Sequence, residues 1–486
     1  MIAPKPGAHI HLAGIAGTAM SALAGLLQEE GYRVTGSDTG IYPPISTVLD
    51  ELGIPVYEGY SAEHLDPPPD LVVIGNALSR GNEEVEAVLD NKLPYASMPE
   101  TLRELFLRDR ETIVVAGTHG KTTTTSILAW IFHSAFESAS LSPGFLIGGV
   151  PLNFTRSFAR GAGKYFILEG DEYDTAFFDK GPKFLHYRPD SVLLTSVEFD
   201  HADIYADLEA IETAFRRLVN LVPRRGWIGA QAESATVRGC VAKAFCPVET
   251  FGFDEGDWRA RDIQCAAEIT EFDVEHRRKR LGRLRMQLAG DHNAMNVLAA
   301  VALAAHHGIA WEEIRRAIET FRGVRRRMEI SGEEGGVVVV DDFAHHPTAI
   351  RETLRAARAR FPGRRLWALV EPRSNTLRRN VFEAELIEAL AGADCVVMAE
   401  VYRGEKIAER ERLNPEKVLE GLRQRGIAAE PGGTADKIVE SLLTQLHSGD
   451  AVIVMSNGGF GGIHAKLLQA LARGCAKEAE RVTSDE

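Results

Sequence analysis

The segment Gly117-Thr118-His119-Gly120-Lys121-Thr122-Thr123 limits the folds open to this 486-residue chain more than any other stretch. It follows the apolar run Thr112-Ile113-Val114-Val115-Ala116 and precedes Thr124 to Ile131, whose apolar spacing is helical. A buried strand, a tight Gly-bearing turn and a helix start, in that order, belong to a parallel α/β sheet. The same order makes a phosphate cradle. Backbone N–H groups and the helix N-terminus face the anion, Lys121 supplies a point charge, and the Thr122 hydroxyl can hold Mg2+. The general pattern has Gly five positions before Gly120, where this chain has Val115, so the loop is a shortened form. An ordinary strand-to-helix turn is the alternative; Gly-Lys-Thr after a buried strand favours a nucleoside triphosphate.

The chain is too long for one core, which implies roughly two to four domains. A formal charge of −14 argues against general binding of nucleic acid, so any anionic ligand must be met by local groups. The five cysteines (Cys240, Cys246, Cys265, Cys395, Cys475) show no metal-ligand spacing and fit a reducing compartment. Met1 to Gly7 has no signal-like apolar core, and no unbroken apolar stretch approaches the roughly 18 residues of a membrane span. The expectation is a cytoplasmic protein with no membrane partner.

Strands are expected at His9–Ala13, Arg33–Gly36, around Val56 and at Leu71–Gly75, with helices at Thr18–Glu30 and Val48–Leu52. This βαβ series reads as a mostly parallel sheet. A second α/β unit starts before Gly117, with strands at Tyr165–Leu168 and Ser191–Thr195 and a surface loop at Ser138–Pro143. Its helix over Asp207–Val222 places Leu208, Ile211, Phe215, Leu218 and Val222 on one face. Residues 225–290 look β-like, with His276 to Arg280 as an exposed turn. A helix over Asn293–His307 closes at Gly308. A third unit begins near Gly323, with strands at Gly336–Asp341, Arg365–Val370, Cys395–Ala399 and Ala451–Met455 and a polar, frayed tail of about twelve residues.

Candidate site residues sit where strands end. Gly14-Ile15-Ala16-Gly17-Thr18-Ala19-Met20, with Ser37-Asp38 ending the next strand, imitates a dinucleotide fingerprint in which Ala16 replaces the second Gly; tight packing is the other reading. Glu169, Asp171, Glu172 and Asp174 end one strand of the second unit, and Glu198, Asp200, His201 and Asp203 follow another, either as Mg2+ ligands or as solvated caps. Asp291-His292-Asn293, taken alone, is a helix N-cap. Arg325-Arg326-Arg327 is either exposed linker charge or a cation reaching phosphates. Asp341 to Pro347, Glu371 to Asn375 and the Gly-dense Met455 to Gly462 end strands of the third unit.

With these landmarks the chain resembles the Mur ligases, the ATP-dependent amide ligases of peptidoglycan synthesis, over almost its entire length. Gly117 to Thr123 is similar to their ATP signature, and Gly290 to Asn296, Arg325 to Glu329 and Asp341 to Pro347 to their other landmarks. Gly14 to Met20 with Gly36-Ser37-Asp38 resembles the branch that takes UDP-N-acetylmuramate. Within it, Tyr42 to Thr47, Gly75 to Asn82, Asp171 to Lys180, Glu371 to Thr376 and Ser456 to Gly462 look like ligases that add the recovered tripeptide L-Ala-γ-D-Glu-meso-diaminopimelate. Ligases that add free L-alanine are the alternative. Later ligases of the pathway carry a carbamylated lysine on the helix after the His-bearing loop. Asp203 to Pro223 has no Lys, and neither does that helix in the UDP-N-acetylmuramate branch.

The resemblance implies three α/β domains: a Rossmann-like UDP-N-acetylmuramate domain (1–109), a central P-loop ATPase domain (110–322) and a C-terminal Rossmann-like peptide-binding domain (323–486). It implies catalysis by Lys121, Glu169, His201, Arg327 and His345, and ATP contacts from Gly117 to Thr123, Asn293, Arg327 and Asp342. Gly14, Gly17, Thr18, Ala19, Met20, Ser37, Asp38, Asn76 and Arg80 would meet the UDP-sugar. Arg373, Ser374, Asn375 and Asn457 would meet the peptide, and Thr122, Glu169 and His201 would hold Mg2+. The chain would act as a monomer or weak homo-oligomer. A nicotinamide oxidoreductase would leave the ATP loop unused, and a nucleotide-dependent switch would leave the third unit's loops without purpose.

Overall fold

The computed structural model describes residues 4–41, 45–136, 141–266 and 269–484, with side chains through Gly474. Tyr42 to Pro44 and residues 138–140 of the expected loop lie outside the described residues.

Short apolar runs without a polar face, such as Leu71–Ile74 with all four residues buried, must lie in a sheet covered on both sides. They do. The first sheet is parallel, in the order Val56–Glu58, Arg33–Asp38, His9–Ala13, Leu71–Ile74, Tyr95–Ser97. His9–Ala13 therefore lies where the strand order reverses, and the Gly14 turn opens at that crevice. Helix Thr18–Glu29 buries Leu23, Leu26 and Leu27, and the apolar core it shares runs on into Phe158 and Phe166 of the next unit.

The second sheet has ten strands. Glu111–Ala116 lies at its centre, paired in parallel with Tyr165–Gly170 on one side and Ser191–Leu194 on the other. Ile113, Val114 and Val115 are fully buried there, each contributing about 1.5–3 kcal/mol by leaving water. The far edge is an antiparallel meander of Trp258–Ala266, Ile269–His276 and Lys279–Met286. Arg277 and Arg278 form its exposed turn, and one helix, Ala235–Val241, interrupts the β-like region. Helix Leu208–Leu221 is capped by the Asp207 carboxylate, which accepts from the Ala210 N–H at 2.9 Å.

The third sheet runs Glu329–Glu334, Val337–Asp342, Asp450–Met455, Arg365–Val370, Cys395–Ala399, Ala428–Gly433, antiparallel only at the first pair. Two expectations need correction. The chain end is helical from Ile463 to Ser484 instead of a frayed tail. Asp291 does not cap its helix: Gly290 occupies that position without a side-chain bond, and Asp291 pairs with Arg355 at 3.1 Å. Among the described residues no helix is long and apolar enough to cross a membrane.

Candidate active site

The central strand delivers the chain into Gly117 at φ +133° and Gly120 at φ +82°, backbone values that L side chains avoid. Space forbids a side chain as well: a Cβ on Gly117 would lie 2.3 Å from Thr195 Oγ1, and one on Gly120 2.4 Å from Asn296 Oδ1. Helix Lys121–Ala135 starts at the loop's end and aims its N-terminus into the same crevice.

Lys121 Nζ donates to the Gly117 carbonyl at 2.5 Å and pairs with both Glu172 oxygens, at 2.8 and 3.0 Å. Burial works against its charge, but the Glu172 carboxylate outweighs that and holds the ammonium above the ordinary lysine range. Glu172 also takes a hydrogen bond from His201 Nε2 at 3.1 Å. Burial lowers the His201 imidazole, and the Glu172 contact more than reverses it, leaving a net rise.

Thr122 Oγ1 donates to Glu169 Oε2 at 3.2 Å, and Glu169 Oε1 accepts from the Gly148 N–H at 2.7 Å. Burial pushes the Glu169 carboxyl up, against the pull of Gly148 and Lys121. Octahedral Mg2+ with bonds of about 2.0–2.1 Å separates neighbouring oxygens by about 3 Å, so this pair of hard donors fits the ion. His201 does not join them; its nitrogen is turned to Glu172.

The third unit closes over the loop. Arg327 donates to Thr122 Oγ1 at 3.4 Å and lies over the Phe343 ring at 5.0 Å. Arg326 is structural, bridging Asp341 at 3.0 Å and the carbonyls of Ser456 and Gly458, while Arg325 is exposed. Asp342 is buried and turned inward, accepting from the N–H groups of Met328 and Ala344, both at 2.8 Å, and from Thr353 at 3.1 Å. It fixes the Arg327–Met328 turn. Asn293 bonds the Ala289 carbonyl at 2.8 Å and Asn296 at 3.3 Å, beside the loop.

A cleft of about 410 Å3 lies between the second and third units. Asp200, His201 and Tyr173 line one wall; His345, Arg373, Ser374, Asn375 and Asn457 line the other. Arg373 stacks on the Tyr402 ring at 3.9 Å, and Asn457 Oδ1 is buried without a partner. Asn375 bridges to Tyr173 at 2.7 Å and Asp203 at 2.8 Å, and Thr376 donates to Asp200 at 2.7 Å, so this wall also latches the two units. Ser374 contacts the His345 carbonyl at 3.4 Å, and His345 Nδ1 lies 2.8 Å from the Phe343 carbonyl. Burial lowers the His345 imidazole.

In the first unit, Gly14 and Gly17 form the turn at the sheet's carboxyl edge, Thr18, Ala19 and Met20 open the helix that follows, and Asn76 comes after Leu71–Ile74. Asp38 is bound to that turn, accepting from the Ala16 N–H at 2.8 Å and Tyr60 at 3.0 Å. Ser37 points inward to the buried Glu84 at 2.5 Å. Arg80 is exposed and bidentate to Glu86, at 2.9 Å twice.

Sequence reasoning missed Glu172 as the partner of Lys121, although it stood in the acidic cluster. It also missed Asn296 against Gly120, which only the packing of two helices reveals.

The chain matches "Mur ligase family, catalytic domain" over residues 9–110, "Mur ligase middle domain" over 115–304 and "Mur ligase, glutamate ligase domain" over 326–458. The UDP-N-acetylmuramate–L-alanyl-gamma-D-glutamyl-meso-2,6-diaminoheptandioate ligase of Escherichia coli is 42% identical over 466 residues, 96% of this chain and 98% of that one. The UDP-N-acetylmuramate–L-alanine ligase of Chlorobium phaeobacteroides is 35% identical over 476 residues, 96% and 98% of the two chains. A crystal structure of a murein peptide ligase from Psychrobacter arcticus is similar with a TM-score of 0.74 at 39% identity, covering 96% of this chain and 99% of its own.

Proposed function

Because the chain belongs to the Mur ligase family, we propose that its three sheets divide one reaction among them, residues 1–109 holding UDP-N-acetylmuramate, 110–322 ATP and 323–486 the peptide. The protein is an ATP-dependent amide ligase that joins L-Ala-γ-D-Glu-meso-diaminopimelate to UDP-N-acetylmuramate. The lactyl carboxylate attacks the γ-phosphorus of ATP, giving an acyl phosphate and ADP. The alanyl amine of the tripeptide then attacks the acyl carbonyl and expels phosphate.

Phosphoryl transfer asks a protein for alignment and neutralisation of charge. Lys121 exchanges Glu172 for the incoming phosphates, and His201 keeps the released Glu172 paired. Arg327 carries a second cation to the loop from the third unit. Thr122 and Glu169 would hold Mg2+, which when bound neutralises the β- and γ-phosphate oxygens. His345, neutral and facing the cleft, can accept a proton from the attacking amine. ATP and a UDP-sugar are both cytoplasmic metabolites, which places the reaction in the cytoplasm.

The observation that carries the acceptor assignment is the cleft's cationic wall. Arg403 and Lys406, with no carboxylate partner among the described residues, line it beside Arg373, whose guanidinium lies 3.6 Å from Glu371. In a chain of net charge −14 this is a site awaiting anions. The tripeptide brings three carboxylates and free alanine one, so alanine would leave the cations unpaired. Mass spectrometry of a mixture with ATP, Mg2+, UDP-N-acetylmuramate and tripeptide should find the two substrates joined with loss of water. Absence of that product with tripeptide, alongside an alanine adduct, would overturn the assignment.

A further inference from the structure

Three residues outside the steps above meet at the seam between the ATP-binding and C-terminal units. His119 comes from the phosphate loop, Glu198 from the segment after strand Ser191–Leu194, and His346 from the start of helix Pro347–Arg360. One ligand atom from each lies within 4.8 Å of the other two, the one such trio of His, Cys, Asp or Glu among the described residues. Glu198 Oε2 is 3.3 Å from His119 Nε2 and 4.0 Å from His346 Nδ1. We propose that this triad binds a transition-metal ion, Zn2+ above all, at a position separate from Thr122 and Glu169, and that the bound ion clamps the two units together.

Tetrahedral Zn2+ with bonds of about 2.0–2.1 Å separates adjacent ligand atoms by about 3.3 Å. One pair already stands there; side-chain rotations must draw in the other two, Glu198–His346 at 4.0 Å and His119–His346 within 4.8 Å. Two imidazoles and a carboxylate select zinc over magnesium, which takes oxygen. The supports for the ligands are in place. His346 Nε2–H faces the Phe199 carbonyl at 3.1 Å, which leaves Nδ1 to coordinate. The Glu198 N–H donates to Thr118 Oγ1 at 2.8 Å, and the His119 N–H to Ser196 Oγ at 2.9 Å. Burial holds the His346 imidazole down to about 4, so it is unprotonated at neutral pH. Metal binding would displace a long bond from the Thr348 N–H to His346 Nδ1, 3.3 Å, while Thr348 Oγ1 keeps Glu198 oriented at 2.7 Å. Three protein ligands leave a fourth position open to water.

Because the ligands come from both units, the ion binds the closed arrangement and opposes opening. Slowed turnover by Zn2+ follows from this and rests on the ligase reading; the binding itself does not. The test is a Zn2+ titration of the full chain by calorimetry in millimolar Mg2+, with Co2+ absorbance as a second readout. One equivalent should bind, His346→Ala and Glu198→Gln should each weaken it roughly 100-fold, and Glu169→Gln should leave it unchanged. Glu198→Gln is nearly isosteric and carries the test if His346→Ala fails to fold. No bound equivalent, or wild-type affinity in Glu198→Gln, would overturn the proposal, whatever the activity of the enzyme.

Discussion

At Lys121 the resting protein holds a charge that the reaction will need. Glu172 and the Gly117 carbonyl hold the buried ammonium; in the proposed reaction a triphosphate would displace the carboxylate. Lys121→Met removes the cation and leaves Glu172 with His201 alone. We expect kcat/KM for ATP to fall at least ~100-fold, the equivalent of losing a charge-assisted contact of about 3 kcal/mol. An unchanged kcat/KM would mean that Lys121 serves only to pair Glu172. Arg373 is the matching case in the acceptor cleft, where a planar fork stacked on Tyr402 can bind a carboxylate bidentately. Arg373→Lys should raise the tripeptide KM by roughly tenfold and leave the KM values for ATP and UDP-N-acetylmuramate unchanged. A normal tripeptide KM would remove Arg373 from the site. Both residues are candidates from the sequence alone, because Gly-Lys-Thr and a strand-end Arg carry their chemistry locally. Their partners are not. Glu169, Asp171 and Glu172 stand within four positions at one strand end, and spacing alone cannot say which one turns to the lysine.

Among the elements, strands were legible in proportion to their burial. Arg365–Val370 and Cys395–Ala399 are apolar runs whose bounds the sequence marks directly. Ala428–Gly433 and Glu329–Glu334 escaped because they are edge strands with polar or Gly-Pro sequences, paired on one side only. His307 shows what joins elements in the central unit. Its ring lies 5.7 Å from Phe132 and 5.2 Å from Tyr165, with Nε2 3.2 Å from Ser191 Oγ, tying a helix end to two strands. Burial, aided by His306, lowers it from 6.5 to about 4. Above pH 6.5 neither state binds the proton and this contribution to stability is fully present. As pH falls towards 4 the unfolded chain protonates first, and up to ~3 kcal/mol is lost. Denaturant unfolding at pH 7.5 and 4.5 should show a smaller drop in His307→Leu than in the wild type. Equal drops would mean that His307 titrates normally in the folded chain.

For the whole molecule, the contacts that assemble the site cross between units: Arg327 to Thr122, Thr376 to Asp200, Asn375 to Tyr173. No local pattern encodes them, which is why the sequence marked the loops but not their meeting. Protein groups alone satisfy Glu169, through the Gly148 N–H and the Thr122 hydroxyl. Chelation of Mg2+ should therefore abolish ADP release while leaving Tm within about 1 °C of the untreated protein. A large fall in Tm would make the ion structural. On the proposed function, one cleft, rimmed by Arg373, Arg403 and Lys406, selects a polyanionic peptide as acceptor for UDP-N-acetylmuramate. The direct measurement is ADP release with ATP, Mg2+ and UDP-N-acetylmuramate, comparing L-Ala-γ-D-Glu-meso-diaminopimelate with L-alanine. We expect a kcat/KM at least ~100-fold higher for the tripeptide; equal or greater turnover with alanine would make the cleft an alanine site.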